Sequence, residues 1–391
     1  MTPAARLQAA IEMLDEIITS ARDAGPAADT IIQRSFKQRR YAGSKDRRAI
    51  RELVYRAIRR FGERPASGRV AMVGLAAEDP DLPPLFDGSP HAPDAISPGE
   101  PAAGGNTVPA WIERHLDPMV GPPFTLLERA PLDLRVNRLK GTRDEALALL
   151  PEAVPTSQSP IGLRLPEGFA VEQHEAWGSG LVEIQDEGSQ LIALACGAGP
   201  GSLAVDLCAG VGGKTLALAA EMNNAGRILA CDVNRARLSR LPPRLGRAGV
   251  TIVDSRLLDP GKELEALADC TGQADLVLVD APCSGSGTWR RNPETRWRLS
   301  PDRLKRLVSM QSYLIDIAVS LLRPGGRLVY AVCSVLTDEG RQQAEAFAKR
   351  HPALVQDEPS IPFGGRCGRG WLLVPARDGT DGFFVASWRV P

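Results

Sequence analysis

Apolar residues recur at helical spacing early in the chain and form strand-like runs later. Leu7, Ile11, Leu14 and Ile18 return every three or four positions and line one buried stripe of a helix. A second helical pattern begins near Ala27. A third covers residues 45–61, where Leu53, Ala57 and Phe61 share an inward face. Residues 132–137 read as a short strand. Thr142 then caps a helix, with Glu145 at the capping-box position. Residues 161–165 and 169–172 supply further strands of a small α+β unit. After Leu181 the pattern becomes an alternation of buried strands, at 203–207, 227–231, 250–253, 274–279 and 327–332, with helices beginning near Gly188, Gly213, Arg235 and Pro301. Repeated strand–helix alternation predicts a mostly parallel sheet covered on both faces.

Composition sharpens this division. With 391 residues, 43% hydrophobic and 24% charged, the chain suits a multidomain protein with sizeable cores. Net charge is zero, from 47 basic and 47 acidic residues, but the signs are unevenly placed. Between Arg34 and Arg60 there are 11 Lys or Arg against two acids. Such a run suits phosphate neutralisation, or equally an ordinary solvated face. From Gly74 to Gly105 the sign inverts, with seven prolines, six acids and no Lys or Arg. That stretch predicts a locally disordered loop or linker over 78–105, or equally a surface insertion inside the first domain. No apolar run approaches a membrane span and no signal-peptide pattern opens the chain, so a cytoplasmic protein is expected. Seven scattered cysteines without a CxxC pair argue against a zinc ribbon or a disulfide framework, and no metal site is expected.

The candidate chemistry gathers at predicted strand ends. Asp206-Leu207-Cys208-Ala209-Gly210-Val211-Gly212-Gly213-Lys214-Thr215 is a glycine-rich turn entering a helix. It matches neither a Walker A loop, because Cys208 stands where the first glycine belongs, nor a dinucleotide fingerprint, because Thr215 stands at the last glycine. S-adenosylmethionine fits better. It carries no phosphate and needs close approach together with acids: Asp232 for a ribose, and Asp254, at the end of the third strand, for an adenine amino group. Isolated glycine turns are weak signals and acids often cap helices after strands. Gly210, Gly212, Asp232, Asp254 and Asp280 together make coincidence a poor account.

Two cysteines stand out from the rest, which suit core positions. Cys283 lies in Asp280-Ala281-Pro282-Cys283-Ser284 and Cys333 in Tyr330-Ala331-Val332-Cys333-Ser334, each just beyond a predicted strand. Carboxyl ends of neighbouring parallel strands share one crevice, so the thiols are expected to converge there. A thiolate at either position can attack an electron-poor ring carbon, with Lys214 and nearby helix N-termini lowering a thiol pKa and Asp280 steadying the ring. Cytosine carbon 5 needs such activation at carbon 6. The residues alone leave open which cysteine attacks.

These motifs resemble those of the RNA cytosine-5 methyltransferases of the Sun (RsmB) and Nop2/Sun group. Asp280–Gly285 looks like the family's fourth motif and Tyr330–Ser334 like its sixth. The resemblance implies Cys333 as nucleophile, Cys283 as the residue promoting release, Asp280 and Lys214 in the catalytic centre, and S-adenosylmethionine as cofactor. Cofactor contacts are expected from Cys208, Ala209, Gly210, Gly212, Gly213, Lys214, Asp232, Arg237, Asp254 and Asp280. Arg39-Arg40-Tyr41-Ala42-Gly43-Ser44-Lys45-Asp46-Arg47 looks like the start of a NusB-like helical domain of the bacterial ribosomal-RNA branch. Leu134-Arg135-Val136-Asn137 with Arg143 resembles an RNA-binding region, and Gln185–Gln190 and Gly379–Phe384 also match. Val211 stands where the family commonly has proline, and Val332 where it commonly has threonine.

The expected fold is therefore a helical NusB-like domain over 1–128, a small α+β RNA-binding subdomain over 129–178 and a Rossmann-like class I methyltransferase domain over 179–391. Expected RNA contacts are Arg39, Arg40, Lys45, Arg47, Arg48, Arg135, Asn137, Arg143, Arg290, Arg291 and Arg296, with further basic residues to Arg306. Trp289 and Trp297 either stack on bases or pack inward. The implied substrate is small-subunit ribosomal RNA, with transfer RNA as an alternative and a non-catalytic RNA-binding assembly factor as a reading of another class. No membrane or obligate protein partner is expected, and the chain is expected to act as a monomer.

Overall fold

A computed structural model of the chain describes residues 1–23, 25–359, 361 and 363–391. Contacts divide it into two units. One comprises Met1–Leu116, Gly121–Glu128 and Thr288–Arg303, the other Asp117–Val120, Arg129–Gly287 and Leu304–Pro391. The division differs from the three-part expectation. Residues 129–178 fall in one unit with the large sheet, and a short late segment, Thr288–Arg303, joins the helical unit.

The helical unit is built on α1 (Pro3–Arg22), α2 (Ala28–Gln38), α3 (Ser44–Arg60) and α4 (Gly68–Ala76). The α1 stripe is buried as its spacing predicts, and Ala10, Met13 and Ile17 widen it. Thr2 caps α1 by accepting from Ala5 N–H at 3.1 Å. The late segment ties the ends of two other helices. Glu294 accepts from the Ala28 N–H at the start of α2 (3.2 Å), supplying the cap that Ala27 has no side chain to provide. Arg296 donates to the carbonyls of Ile58, Arg59 (3.0 Å) and Phe61 (3.1 Å) at the end of α3, where helix carbonyls lack intrahelical partners. Trp297 Nε1 adds a bond to Phe61 O at 2.8 Å.

Of the two readings of the 78–105 segment, the structure has the insertion within the helical unit and not the disordered linker. Glu78 pairs with Arg60, Asp79 with Arg56 and Glu100 with Arg69, so its acids meet arginines of α3 and α4. Leu82 and Phe86 are buried in the helical core, and Ala103 N–H donates to Val70 O at 2.9 Å. Two apolar anchors and three ion pairs order a stretch that looked too polar to fold.

The second unit holds two sheets. The smaller runs β2–β3–β1–β4 and is antiparallel: β1 (Leu132–Val136), β2 (Val154–Pro155), β3 (Gly162–Leu165) and β4 (Val182–Ile184). Residues 169–172, read as strand, contribute instead to a 3₁₀ turn at Val171–Gln173. Helix α5 (Arg143–Leu149) carries the expected capping box, Thr142 Oγ1 accepting from Glu145 N–H. The larger sheet contains β5 (Leu203–Asp206), β6 (Arg227–Asp232), β7 (Val253–Leu257), β8 (Ala274–Asp280), β9 (Leu322–Val332), β10 (Val355–Asp357), β11 (Gly365–Cys367), β12 (Gly370–Leu373) and β13 (Phe383–Arg389). Its order is β7–β6–β5–β8–β9–β13–β12–β11, with β10 beside β13. Strands β5 to β9 are parallel and β13 runs antiparallel to β9. Helices α6 (Glu187–Ala195), α7 (Gly213–Glu221), α8 (Leu241–Ala248), α9 (Pro301–Leu321) and α10 (Arg341–Arg350) belong to the connections around this sheet. From β5 the chain winds outward through β6 to β7, then crosses back to β8 on the other side of β5. That switch opens a crevice at the carboxyl ends of these strands.

Candidate active site

Register explains why the two cysteines meet. Strand β8 pairs in parallel with β9 so that Asp280 lies opposite Ala331, and Ala281 N–H still donates to Ala331 O at 2.9 Å. The chain reaches Cys283 three residues beyond Asp280 and Cys333 two residues beyond Ala331. Their Sγ atoms stand 3.3 Å apart, each residue half-buried. The hydrogen bond to Cys333 holds the Cys283 thiol well above its usual pKa, with burial and then the charges of Cys333 and Glu339 adding to it.

The glycine-rich turn follows β5 at the same rim. Gly210 and Gly212 have φ of +60° and +86°, which side chains rarely adopt, and Gly212 forms the N-terminal boundary of α7. Around Gly210 there is open space, as a loop facing a ligand requires. Lys214, in the first turn of α7, reaches Asp280 with Nζ 2.7 Å from Oδ2. Burial works against its charge, but Asp280, Cys333 and Asp206 outweigh that and raise the ammonium pKa. Asp232 ends β6, its two carboxylate oxygens accepting from Gly210 N–H (2.8 Å) and Asn234 N–H (2.6 Å). Cys208 is half-buried and its thiol is raised well above the usual range by burial, then by Asp206, Asp280 and Asp232. Ala209 is buried, its N–H donating to Cys231 O at 2.7 Å.

Asp206, treated at the outset only as the start of the motif, is a further candidate. It is 1% exposed; Oδ2 accepts from Thr215 Oγ1 at 2.7 Å, while Oδ1 is buried without a partner. Burial pushes its pKa up to about 7. An orphaned acceptor beside an open glycine loop fits the cationic amino group and hydroxyls of S-adenosylmethionine.

Asp254 does not sit at this rim. Strand β7 is Val253–Leu257, several residues later than the apolar run 250–253 suggests. Asp254 thus faces Leu229 near the strand's entry and pairs with Arg227, the first residue of β6, at 2.9 Å. Its side chain is 62% exposed. The polar run Asp-Ser-Arg continues as strand because β7 lies at the sheet edge, where one side is unpaired and half-exposed residues are tolerated. The acid at the exit of β7 is Asp259, which is exposed and which the sequence reading missed. Arg237 is exposed on the short helix Arg235–Leu238.

Several residues expected on an RNA surface are interior. Arg135 is 1% exposed and donates to Gln185 Oε1 at 2.7 Å; burial lowers its pKa to about 10. Asn137 donates to the carbonyls of Gly180 (3.0 Å) and Ala248 (2.9 Å) inside the second unit. Arg290 is 8% exposed, and Arg296 is spent on the end of α3. Trp289 and Trp297 are 0% and 4% exposed, so the inward alternative holds for both. Arg291 and Arg143 are half-buried, Arg143 donating to Ser159 O at 3.3 Å. Arg39 is taken up by Glu12 and Ser35, and Arg47, though exposed, donates to Ala42 O at 2.8 Å. Arg40, Lys45 and Arg48 are exposed, with Tyr41 among them at 72%. Tyr41 was legible only as part of a motif; its exposure makes it a stacking candidate in a basic setting.

With this geometry in place, known proteins can be compared. Residues 194–389 match the family model for 16S rRNA methyltransferase RsmB/F. The chain belongs to this family. Among curated relatives, "Ribosomal RNA small subunit methyltransferase B" of Pasteurella multocida is 33% identical over 267 residues, covering 67% of this chain and 59% of that protein. The chain spans about six-tenths of the length of the first such relatives. Among solved structures, that of PH0851 covers 99% of both chains with a TM-score of 0.77 at 24% identity, which speaks for the fold. A methyltransferase homolog from Pyrococcus horikoshii is 26% identical with a TM-score of 0.60, covering 68% of this chain and 88% of that one. Among the described residues, no helix is long and apolar enough to cross a membrane.

Proposed function

We propose that the chain transfers a methyl group from S-adenosylmethionine to carbon 5 of a cytosine in RNA, most specifically small-subunit ribosomal RNA, through a covalent cysteine adduct. The observation that carries this reading is the contact of Cys283 and Cys333, with Sγ atoms 3.3 Å apart, at the rim that also bears the Lys214–Asp280 pair. S-adenosylmethionine, when bound, supplies an electrophilic methyl group. Asp206, the turn from Cys208 to Gly213, Asp232 and the exit of β7 are the residues that would hold it. Cytosine carbon 5 is a poor nucleophile until something adds at carbon 6. The Cys333 thiolate forms a bond to carbon 6 and drives the electrons of the carbon 5–carbon 6 double bond toward carbon 5, which takes the methyl group. Asp280, oriented by Lys214, steadies the ring through its nitrogen edge. Carbon 5 then passes its proton to a base, water or the Cys283 sulfur, the carbon–sulfur electron pair leaves with Cys333 as thiolate, and the double bond re-forms. Cys283 assists this release. The order of roles rests on the family resemblance. The base leaves any stacked or paired setting to reach such a crevice. Arg40, Tyr41, Lys45 and Arg48 form the exposed basic and aromatic surface offered to RNA by the helical unit.

Incubating variants with small-subunit RNA and labelled cofactor tests the assignment. Cys333→Ala is expected to abolish methyl transfer while binding cofactor. Cys283→Ala is expected to yield a protein–RNA adduct stable on a denaturing gel. The same adduct from both variants would sink the division of roles. Mapping 5-methylcytosine by bisulfite sequencing in a strain lacking the gene identifies the target base.

A further inference from the structure

A buried carboxylate is held by the residue following each cysteine. Glu339, between Cys333 and α10, is 0% exposed. One of its oxygens accepts from the Ser284 N–H at 2.8 Å and from Gln311 Nε2 at 3.0 Å. The other accepts from the hydroxyls of Ser334, at 2.5 Å, and of Ser284. Ser284 immediately follows Cys283, and Ser334 immediately follows Cys333. The Ser286 hydroxyl lies 3.1 Å from Ser284 Oγ and 3.0 Å from Ser334 Oγ, and accepts from Val335 N–H at 3.0 Å. Gln311 also donates to Pro282 O at 2.9 Å, on the other side of Cys283, and the Tyr330 hydroxyl donates to Glu339 O at 2.7 Å.

All of these donors are neutral. Among the described residues no salt bridge reaches Glu339 within 4.0 Å. Burying a carboxylate without a cation is costly, and an apolar replacement of similar volume is commonly neutral or stabilising. Stability is therefore a poor reason for this arrangement, whereas geometry is a good one. Besides Glu339, the two loops are joined by the main-chain bond from Gly287 N–H to Cys333 O (3.0 Å), by Val335 N–H to Ser286 Oγ and by the serine hydroxyl contacts, which leave the two thiols less firmly set.

We infer that Glu339 is a positioning residue whose carboxylate clamps Ser284 and Ser334 together and thereby sets the contact between Cys283 and Cys333. The chemical consequence rests on the reading of the two thiols as a catalytic pair. Groups facing the thiols are Glu339 from below, Tyr330 from β9, and Lys214 with Asp280 from α7 and β8.

The experiment compares full-length wild type with Glu339→Gln. Each cysteine is alkylated with iodoacetamide across a pH series and quantified by peptide mass spectrometry. Loss of the clamp and of its negative charge is expected to lower the pH midpoint for Cys283 by about one unit or more. Buried Cys196 and Cys231 should stay protected. In methyl transfer, kcat is expected to fall about tenfold or more, with the KM for S-adenosylmethionine within about twofold, as misplacement of a reacting group requires. A folded Glu339→Gln protein with an unchanged Cys283 midpoint overturns the inference. So does a protein in which all cysteines become reactive together, since that marks a merely structural role. If Glu339→Gln does not fold, Ser334→Ala carries the test, with a smaller shift in the same direction supporting the inference and none refuting it. A wild-type chain without cytosine methylation would defeat the proposed function, yet the alkylation series would still decide the role of Glu339.

Discussion

Replacing Asp206 by Asn should change how stability depends on pH, by an amount that follows from the site. The carboxyl is fully interior, and burial raises its pKa from the usual 3.8 to about 7, with the Thr215 hydrogen bond opposing and Asp280 reinforcing the rise. Between those limits the folded chain binds a proton that the unfolded chain has released. The folded form is thus favoured fully below about pH 4, and that contribution is lost as pH climbs through 7. At about 1.4 kcal/mol per tenfold in proton affinity, a change of about three decades is worth about 4 kcal/mol, an upper figure because water reaching the carboxylate reduces it. Asn carries no charge at any pH and can still accept from Thr215. Urea unfolding of cofactor-free wild type and variant, followed side by side by circular dichroism in half-unit steps from pH 4 to 8.5, isolates the group because other carboxylates cancel in the difference. Wild type is expected to lose stability relative to Asp206→Asn by roughly 2–4 kcal/mol across this window. A difference flat to within about 0.5 kcal/mol, the ordinary spread for independent sites, would refute the assignment of Asp206 as a buried acid.

Other expectations can be checked as directly. Asp254→Ala should leave S-adenosylmethionine affinity within about twofold by calorimetry, because its exposed carboxylate makes a surface pair with Arg227 worth at most about 1 kcal/mol, whereas Asp259→Ala should weaken it. Arg296→Met should destabilise the helical unit by about 3 kcal/mol in urea titrations, since it strips donors from three carbonyls at the end of α3. Tyr41→Ala should weaken RNA binding by about 1–3 kcal/mol in filter-binding assays without altering its salt dependence. Lys45→Ala and Arg48→Ala should instead flatten the slope of binding against salt, because each removes a counterion-releasing contact.

Features set by local pattern were legible from the chain. The α1 stripe, the Thr142 capping box and the strand–helix alternation depend on neighbours a few residues apart, and, β7 excepted, they stand in the structure where spacing placed them. Features set by distant partners were not. Residues 78–105 read as linker or insertion alike because their prolines and acids bury little by themselves; what orders them is pairing with Arg56, Arg60 and Arg69, earlier in the chain. Arg296 read as a phosphate ligand because a guanidinium that caps a buried helix and one that meets RNA have the same local sequence. Only the position of Thr288–Arg303 in the helical unit tells them apart.

The candidate site divides along the same line. Asp232, Asp280 and the two cysteines follow strands whose apolar runs end sharply, so their placement at one rim follows from the parallel topology. Asp254 follows an apolar run that ends before its strand does. An edge strand admits polar residues, so hydrophobicity there marks neither end, and a four-residue displacement carries an acid to the opposite rim. Glu339 was harder still. Six residues after a cysteine and shortly before a helix, it reads as an ordinary acid near a helix N-terminus. Its meaning depends on the β8–β9 register, which sets Asp280 opposite Ala331 and so brings Ser284 and Ser334 within 3.2 Å of each other. A one-step slip of that register would carry Ser334 away from Ser284 and part the thiols as well. The same pairing that makes two cysteines a reactive couple thus creates a place where one carboxylate can hold both their loops.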